Sequence, residues 1–441
     1  MSQPILPEAG VVPSRAPQTA VRSETSKAWV AAATMIGTTI EWYDFFIFGT
    51  ATALVFNKLF FPSFDPVVAT LASFSTFAVG LFARPLGALL FGHFGDRIGR
   101  KRMLIASLLL MGAPTVLIGL MPTYEQIGLW AAVILVAIRI CQGVAIGGEW
   151  GGAVLMAVEH APGGKVGFFG SMPQTGTPLA LILSTLAYLA FGALPEQDFL
   201  SWGWRLPFLA SFAPVFVGIF IRRRVGESPA FEAAARQGEL VSVPIAEVAR
   251  HHWRNVALAI GAKLGEISLF YLVTVFILSY VTGKLGLPRA VTLNATLLAA
   301  VVLLVCMPLC GYLTDKVGPR AMFGFGTVAL GAFAVPMFTL VESRDPTLIT
   351  VAVVVALGLI YPLMYAPEAS LFARLFPARV RYTGLSISAH VGGAIGGGLA
   401  PLVATWLMTS YGSTMAVGFY LTTLAVLGFG CIAAMRLSEK S

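Results

Sequence analysis

The sequence predicts an all-α membrane protein of twelve transmembrane helices in two six-helix bundles. Three observations carry that expectation. Only 11% of the 441 residues are charged and 57% are hydrophobic, whereas about a quarter of an ordinary soluble domain is charged. Apolar stretches of roughly twenty residues, each long enough to cross about 30 Å of hydrocarbon, recur along nearly the whole chain. One polar stretch divides them six and six, and each set holds a similar charged turn at a matching place.

The apolar stretches fall approximately at 28–56, 67–94, 103–121, 124–156, 167–192, 206–221, 254–283, 290–313, 321–341, 346–371, 382–408 and 412–436. Residues 1–27 are polar and Pro-containing, without the apolar region of a signal peptide, and read as a disordered cytoplasmic tail. The first bundle is then 28–221, the linker 222–253, the second bundle 254–436 and a short cytoplasmic tail 437–441. Of the 29 Lys and Arg residues, 21 fall on the side that both termini share, counting helix ends, 5 on the other side and 3 inside helices. The positive-inside rule places both termini and the linker in the cytoplasm. The net charge of +8 is therefore a topology signal, and no nucleic acid is implied.

The duplicated turn is Gly92-His-Phe-Gly-Asp96-Arg97-Ile-Gly99-Arg100-Lys101-Arg102 in the first half. In the second it is Gly311-Tyr-Leu-Thr-Asp315-Lys316-Val-Gly318-Pro-Arg320. Glycines let two helix ends approach, an aspartate caps the next helix, and the cations hold the loop on the cytoplasmic side. Two copies at matching positions are how a transporter builds two bundles around a central site. Gly92, Asp96, Arg97, Gly99, Arg100, Asp315 and Arg320 are the gating candidates.

This pair of loops resembles the signature of the major facilitator superfamily, and the chain is most similar to its metabolite:proton symporter family of shikimate, 2-oxoglutarate, citrate and proline/betaine permeases. The matching segments are Glu41-Trp-Tyr-Asp44-Phe, Arg84-Pro-Leu-Gly87, Gln142-Gly143 with Gly147-Gly148-Glu149, Trp202-Gly-Trp-Arg205-Leu-Pro-Phe, Glu227-Ser-Pro229-Ala-Phe and Arg381-Tyr-Thr-Gly384. They span almost the whole chain. The resemblance implies the major facilitator fold, protons as the coupling ion, no other cofactor, and a monomer working in a bacterial inner membrane. Lys316 and Pro319 depart from the family's Asp-Arg-x-Gly-Arg pattern, and Arg374 stands where many relatives carry an acid.

A charge at the bilayer midplane costs roughly 3 kcal/mol, so intramembrane ions are functional candidates: Glu41, Asp44, Arg84, Arg139, Glu149, Lys263, Glu266 and Glu368. Glu41 and Asp44 lie three apart on one helix face. Two carboxylates close together in low dielectric do not both ionise easily, so this pair, with Glu149, is the proton-coupling candidate. Arg84 reads as a structural charge partner for a first-helix acid. Arg139, with Gln142 and Gly143, resembles the superfamily's Arg-x-x-Gln-Gly element for proton transfer or substrate anchoring. Gly143, Gly147 and Gly151 repeat every four residues, as a packing face does. Lys263 and Glu266 form either a static ion pair or one that substrate or proton breaks. Gln174, Tyr361 and Tyr365 are cavity-lining candidates beside Arg139, Lys263 and Glu266, and His390 is expected to hydrogen-bond.

Other classes fit poorly. The five histidines (93, 160, 251, 252 and 390) form no catalytic cluster, and no phosphate-binding Gly-x-x-x-x-Gly-Lys-Ser/Thr occurs. The four cysteines, Cys141, Cys306, Cys310 and Cys431, sit in apolar helices without His or carboxylates at metal-ligand spacing. The expectation is no enzyme, no metal, and proton symport of a small organic acid such as shikimate or a di- or tricarboxylate. The alternatives are a proton-driven exporter of the same superfamily, or uptake of a zwitterionic osmolyte such as betaine or proline.

Overall fold

In hydrocarbon no water replaces a missing backbone partner, so a spanning chain satisfies its own N–H and C=O groups along a helix. The computed structural model describes residues 27–436 apart from 99, 148–149, 160, 162, 225–244 and 378–379, and the regular structure among them is helical throughout. α1 is Lys27–Ala51, continued by a π-helix over Thr52–Phe56. α2 is Pro66–Ile98, α3 Arg100–Leu120 and α4 Trp130–Ile146, followed by a further piece, Trp150–Glu159. α5 covers Val166–Gly192 with a break at Thr175, and α6 is Phe212–Arg224. α7 is Trp253–Lys284, α8 Arg289–Val317, α9 Pro319–Glu342, α10 Pro346–Ala373, α11 Arg381–Tyr411 and α12 Met415–Ala434. Among the described residues nine helices (α2, α4, α5 and α7 to α12) are long and apolar enough to cross a membrane, and Ala106–Leu120 within α3 is a shorter apolar helix. The stretch read as a linker holds a helix of its own, Ile245–His251.

Polarity runs inside out. Phe212, Phe325 and Val426 are 66%, 64% and 69% exposed, while Arg139, Glu266 and Glu368 are buried. An apolar skin that large would aggregate in water; against lipid chains it is the stable arrangement.

Turn chemistry sets the helix boundaries. Gly318 has a φ of 93°, in the region that favours glycine, and Pro319 opens α9 immediately after it. The Asp345 carboxylate accepts from the backbone N–H groups of Thr347 and Leu348 at 2.7 and 3.3 Å and so caps α10.

Packing within each half is close. α1 lies against α5, α2 against α4, α9 against α12, and α7 against α11 and α12. The halves meet where α5 crosses α8 and α10, α2 meets α11, and α1 meets the π-turn of α7. The glycine stripe of α4 serves the α2 contact. A Cβ on Gly143 would stand 2.1 Å from the Gly80 carbonyl oxygen, one on Gly147 2.0 Å from that of Arg84, and one on Gly87 2.0 Å from that of Val144. Only glycine permits that approach. Gly151 faces the other half instead, where a Cβ would stand 2.1 Å from Ser386 Oγ on α11. π-turns interrupt α1, α7, α10 and α11, four helices that border the central site, which is where such bulges commonly sit.

Candidate functional site

The helices converge on a central cavity lined by Glu41 and Trp42 of α1, Arg84 of α2, Trp150 of the Trp150–Glu159 piece, Lys263 and Tyr271 of α7, Tyr365 of α10 and His390 of α11. Both halves therefore supply walls.

On the first half, a polar chain links three helices. Arg139 Nη1 donates to Gln142 Oε1 at 3.1 Å, Gln142 Nε2 donates to the Thr115 hydroxyl at 2.7 Å, and that hydroxyl donates to Asp44 Oδ2 at 3.0 Å. The chain leaves capacity unused: Arg139 Nε and Nη2, Asp44 Oδ1 and Arg84 Nε are buried without a hydrogen-bond partner. Aromatic rings take up the guanidinium faces instead. Arg84 Cζ lies 4.4 Å from the Phe45 ring centre and 5.4 Å from that of Trp42, while Arg139 Cζ lies 4.5 Å from Phe45 and 4.0 Å from Phe48. Cation–π contacts offset part of the cost of burying a cation but do not satisfy its N–H donors. Buried polar groups are nearly always hydrogen-bonded, so these exceptions mark a place built for something else.

On the second half the cation is fully engaged. Lys263 Nζ lies 2.6 and 2.8 Å from the two Glu368 oxygens and 3.3 Å from Glu266 Oε2. The Lys263–Glu266 pair expected from the three-residue spacing is present, and Glu368 of α10 closes it into a triad. Tyr361 and Tyr365, one turn apart, lie tilted with ring centres 5.0 Å apart, and the Tyr365 hydroxyl sits 3.3 Å from that of Thr177 on α5, across the two halves. Gln174, at the break in α5, is buried with neither amide atom paired. His390 borders the cavity with its Nε2 unpaired.

The first-helix acids part company. Glu41 borders the cavity, whereas Asp44 turns to Thr115 on α3. Arg84 reaches α1 through its rings, Trp42 and Phe45. Among the gating candidates, the Asp315 carboxylate accepts from the backbone N–H groups of Gly167 and Phe168 at 2.6 and 2.9 Å. That ties the end of α8 to the start of α5, where a negative charge suits the helix N-terminus. Arg320 donates to the Ala433 carbonyl of α12. Gly92, Asp96 and Arg97 fall at the end of α2 and Arg100 at the start of α3; the side chains of Asp96, Arg97 and Arg100, together with Gly99 and Glu149, lie outside the described residues.

Thr115, Tyr271, Trp42 and Trp150 escaped the sequence reading. Each is uncharged and sits in an apolar run, so burial cost, the signal that found the ions, does not single them out.

A polar, two-walled cavity inside a lipid-facing shell of helices defines a polytopic membrane transporter. The sequence profile of the Major Facilitator Superfamily matches residues 34–401 and again 267–440, and the chain belongs to that family, which is one of transporters rather than enzymes. It is 41% identical to an inner membrane metabolite transport protein of Escherichia coli (strain K12), with 94% of each chain covered. It is 37% identical to the shikimate transporter of the same organism, covering 93% of this chain and 95% of that one. A proline/betaine transporter of Salmonella typhimurium is 32% identical, with 94% and 84% covered. Among solved structures, a D-xylose–proton symporter superposes with a TM-score of 0.69 at 18% identity, covering 94% of this chain and 99% of that one. The partially occluded, inward-open xylose transporter of E. coli gives 0.71 at 15% identity, covering 93% and 98%.

Proposed function

We propose that this chain is a proton-coupled importer of a small organic acid in a bacterial inner membrane. Its twelve helices span the bilayer as two bundles, 28–221 and 254–436, with both termini and the 222–253 connection in the cytoplasm. The observation that carries this reading is the asymmetry of buried charge. Arg84 and Arg139 keep guanidinium nitrogens unpaired, while Lys263 already has two carboxylates. An arriving carboxylate finds its donors on the first half, where bidentate geometry favours arginine. The triad holds one more carboxylate than cations, and a proton relieves that excess charge in low dielectric. Glu41, Asp44 and Glu149 remain coupling candidates beside it. Gln174, Tyr361 and Tyr365 complete the substrate wall, and the Asp315 clasp, with the Gly92–Arg102 segment, opens and shuts the cytoplasmic end.

A second reading, uptake of a zwitterion such as betaine or proline, draws on the rings of Trp42, Trp150, Tyr271 and Tyr365 around the cavity, since aromatic faces attract quaternary ammonium groups.

Purified protein in proteoliposomes decides between them. With an inward proton gradient, labelled shikimate, succinate or citrate should accumulate, and a protonophore should abolish the accumulation. Accumulation of glycine betaine alone would replace the first reading with the second. Acid driven out in exchange for entering protons would make the chain an exporter.

A further inference from the structure

α8 of the second half holds α5 of the first half at both ends, with groups of opposite sign. At the C-terminal end of α8, the Asp315 carboxylate accepts from the first backbone N–H groups of α5. At its N-terminal end, Arg289 reaches the last carbonyls of α5 and the turn after it. Its Nε and Nη2 donate to the Gly192 carbonyl at 2.9 and 2.6 Å, and Nη2 to that of Leu194 at 3.1 Å. The guanidinium also lies 4.0 Å from the centre of the buried Phe199 ring. A carboxylate at the start of α5 and a cation at its end each match the helix dipole and fill backbone groups that a helix terminus leaves unpaired.

The two ends are built differently. Beside Asp315 the helices press directly on each other: a Cβ on Gly167 would stand 2.8 Å from the Gly311 carbonyl oxygen, and one on Gly311 2.3 Å from Ser171 Oγ. Beside Arg289 a Cβ on Gly192 would find only the Arg289 side chain within 4 Å, its Nε at 3.3 Å. One end is thus shut by helix packing and the other is bridged by one long side chain. Arg289, Gly192 and Leu194 are all half-buried, so water can replace these hydrogen bonds when they break. A contact of that kind suits repeated release better than a buried one.

We infer that Arg289 is the latch of the outer gate: it lets go of α5 each time the cavity opens to the outer face, and its grip sets how often that happens. The inference rests on the orientation proposed above and on no particular cargo. Thr185 of α5 and Thr296 of α8, each two turns from the latch, line a narrow void beneath it and are 3% and 7% exposed. Release of Arg289 should bring them into contact with outside water.

Thiol labelling in membrane vesicles tests this. The four native cysteines are replaced by serine, and the chain then carries either Thr296→Cys or Ser386→Cys. Ser386 faces Gly151 across the halves, one turn from His390 on the cytoplasmic side of the cavity. An impermeant maleimide reports the first in right-side-out vesicles and the second in inside-out vesicles. Arg289→Gln should raise the Thr296→Cys labelling rate by roughly 3–30-fold. It should lower that of Ser386→Cys, because one face gains the population that the other loses. Arg289→Lys keeps the cation and should fall in between, while Arg344→Gln, the same loss of charge in an exposed turn at that end, should change neither rate. An unchanged Thr296→Cys rate in Arg289→Gln overturns the latch, and so do equal increases at both positions, which mean general loosening. If Thr296→Cys reacts only in inside-out vesicles, and faster in Arg289→Gln, the latch stands and the proposed orientation falls.

Discussion

On the first six helices, Arg84 and Arg139 stand among phenylalanine and tryptophan rings with donors to spare; on the last six, Lys263 is held between Glu266 and Glu368. Both arrangements keep a cation in a low-dielectric interior, but by different means. Rings stabilise charge without consuming N–H groups, so the first half stays able to take an anion. Carboxylates offset the charge itself, and on the proposed reading the second half offers a substrate little attraction and gives a proton somewhere to reside. On the proposed reading, the two bundles divide the labour of recognition and coupling.

The largest effect should come from the ring-held side. Arg139→Gln removes a buried charge from a site meant to pair with one, a change that costs about 2–5 kcal/mol, or roughly 30-fold or more in affinity. Counterflow of labelled acid in vesicles should show KM rising by at least that factor. A near-normal KM would move recognition to the second half and erase the contrast.

The next effect belongs to the triad. Glu368→Gln leaves Lys263 paired with Glu266 alone and removes the surplus carboxylate. Accumulation against a gradient should fall to the equilibrium level, while energy-independent counterflow persists, because rocking of the bundles is still allowed. Asp44→Asn sharpens the comparison. If Asp44 loses accumulation and Glu368 keeps it, coupling lies on the Arg139–Gln142–Thr115 chain rather than on the triad.

The smallest effect is kinetic. Asp315→Asn weakens a carboxylate's hold on the first turn of α5, a contact of about 0.3–1 kcal/mol where exposed and up to about 2 where partly buried. The transport rate should drop severalfold with substrate affinity kept within a few-fold. A large loss of affinity at normal turnover would place Asp315 in the site rather than at the gate.

What the sequence disclosed follows from what is local in it. Span positions, the buried ions and the Lys263–Glu266 pair rest on hydropathy or helical spacing, and all can be read within a few residues. Glu368 was visible as a costly charge, but not as the main partner of Lys263, from which 105 positions separate it. Glu41 and Asp44 show the reverse difficulty. Spacing puts them on one face, yet α1 is wrapped by other helices, and neighbours at a modest angular offset belong to different surroundings: the cavity for one, Thr115 for the other. Tyr271, which lines the central cavity, carries no charge and sits in an apolar run, so only the assembled fold gives it a role.

The glycine contact between α2 and α4 has a meaning for how this scaffold can change its cargo. Gly87, Gly143 and Gly147 bring the two backbones into direct contact, and Gly80 leaves the room that the Arg139 side chain occupies. Arg84 rides on one of those backbones and Arg139 on the other. The glycine contact thus fixes the spacing of the two backbones that carry these arginines, while the rings of α1 hold their guanidiniums. On the proposed reading, a change of cargo on this scaffold falls to residues outside the α2–α4 contact.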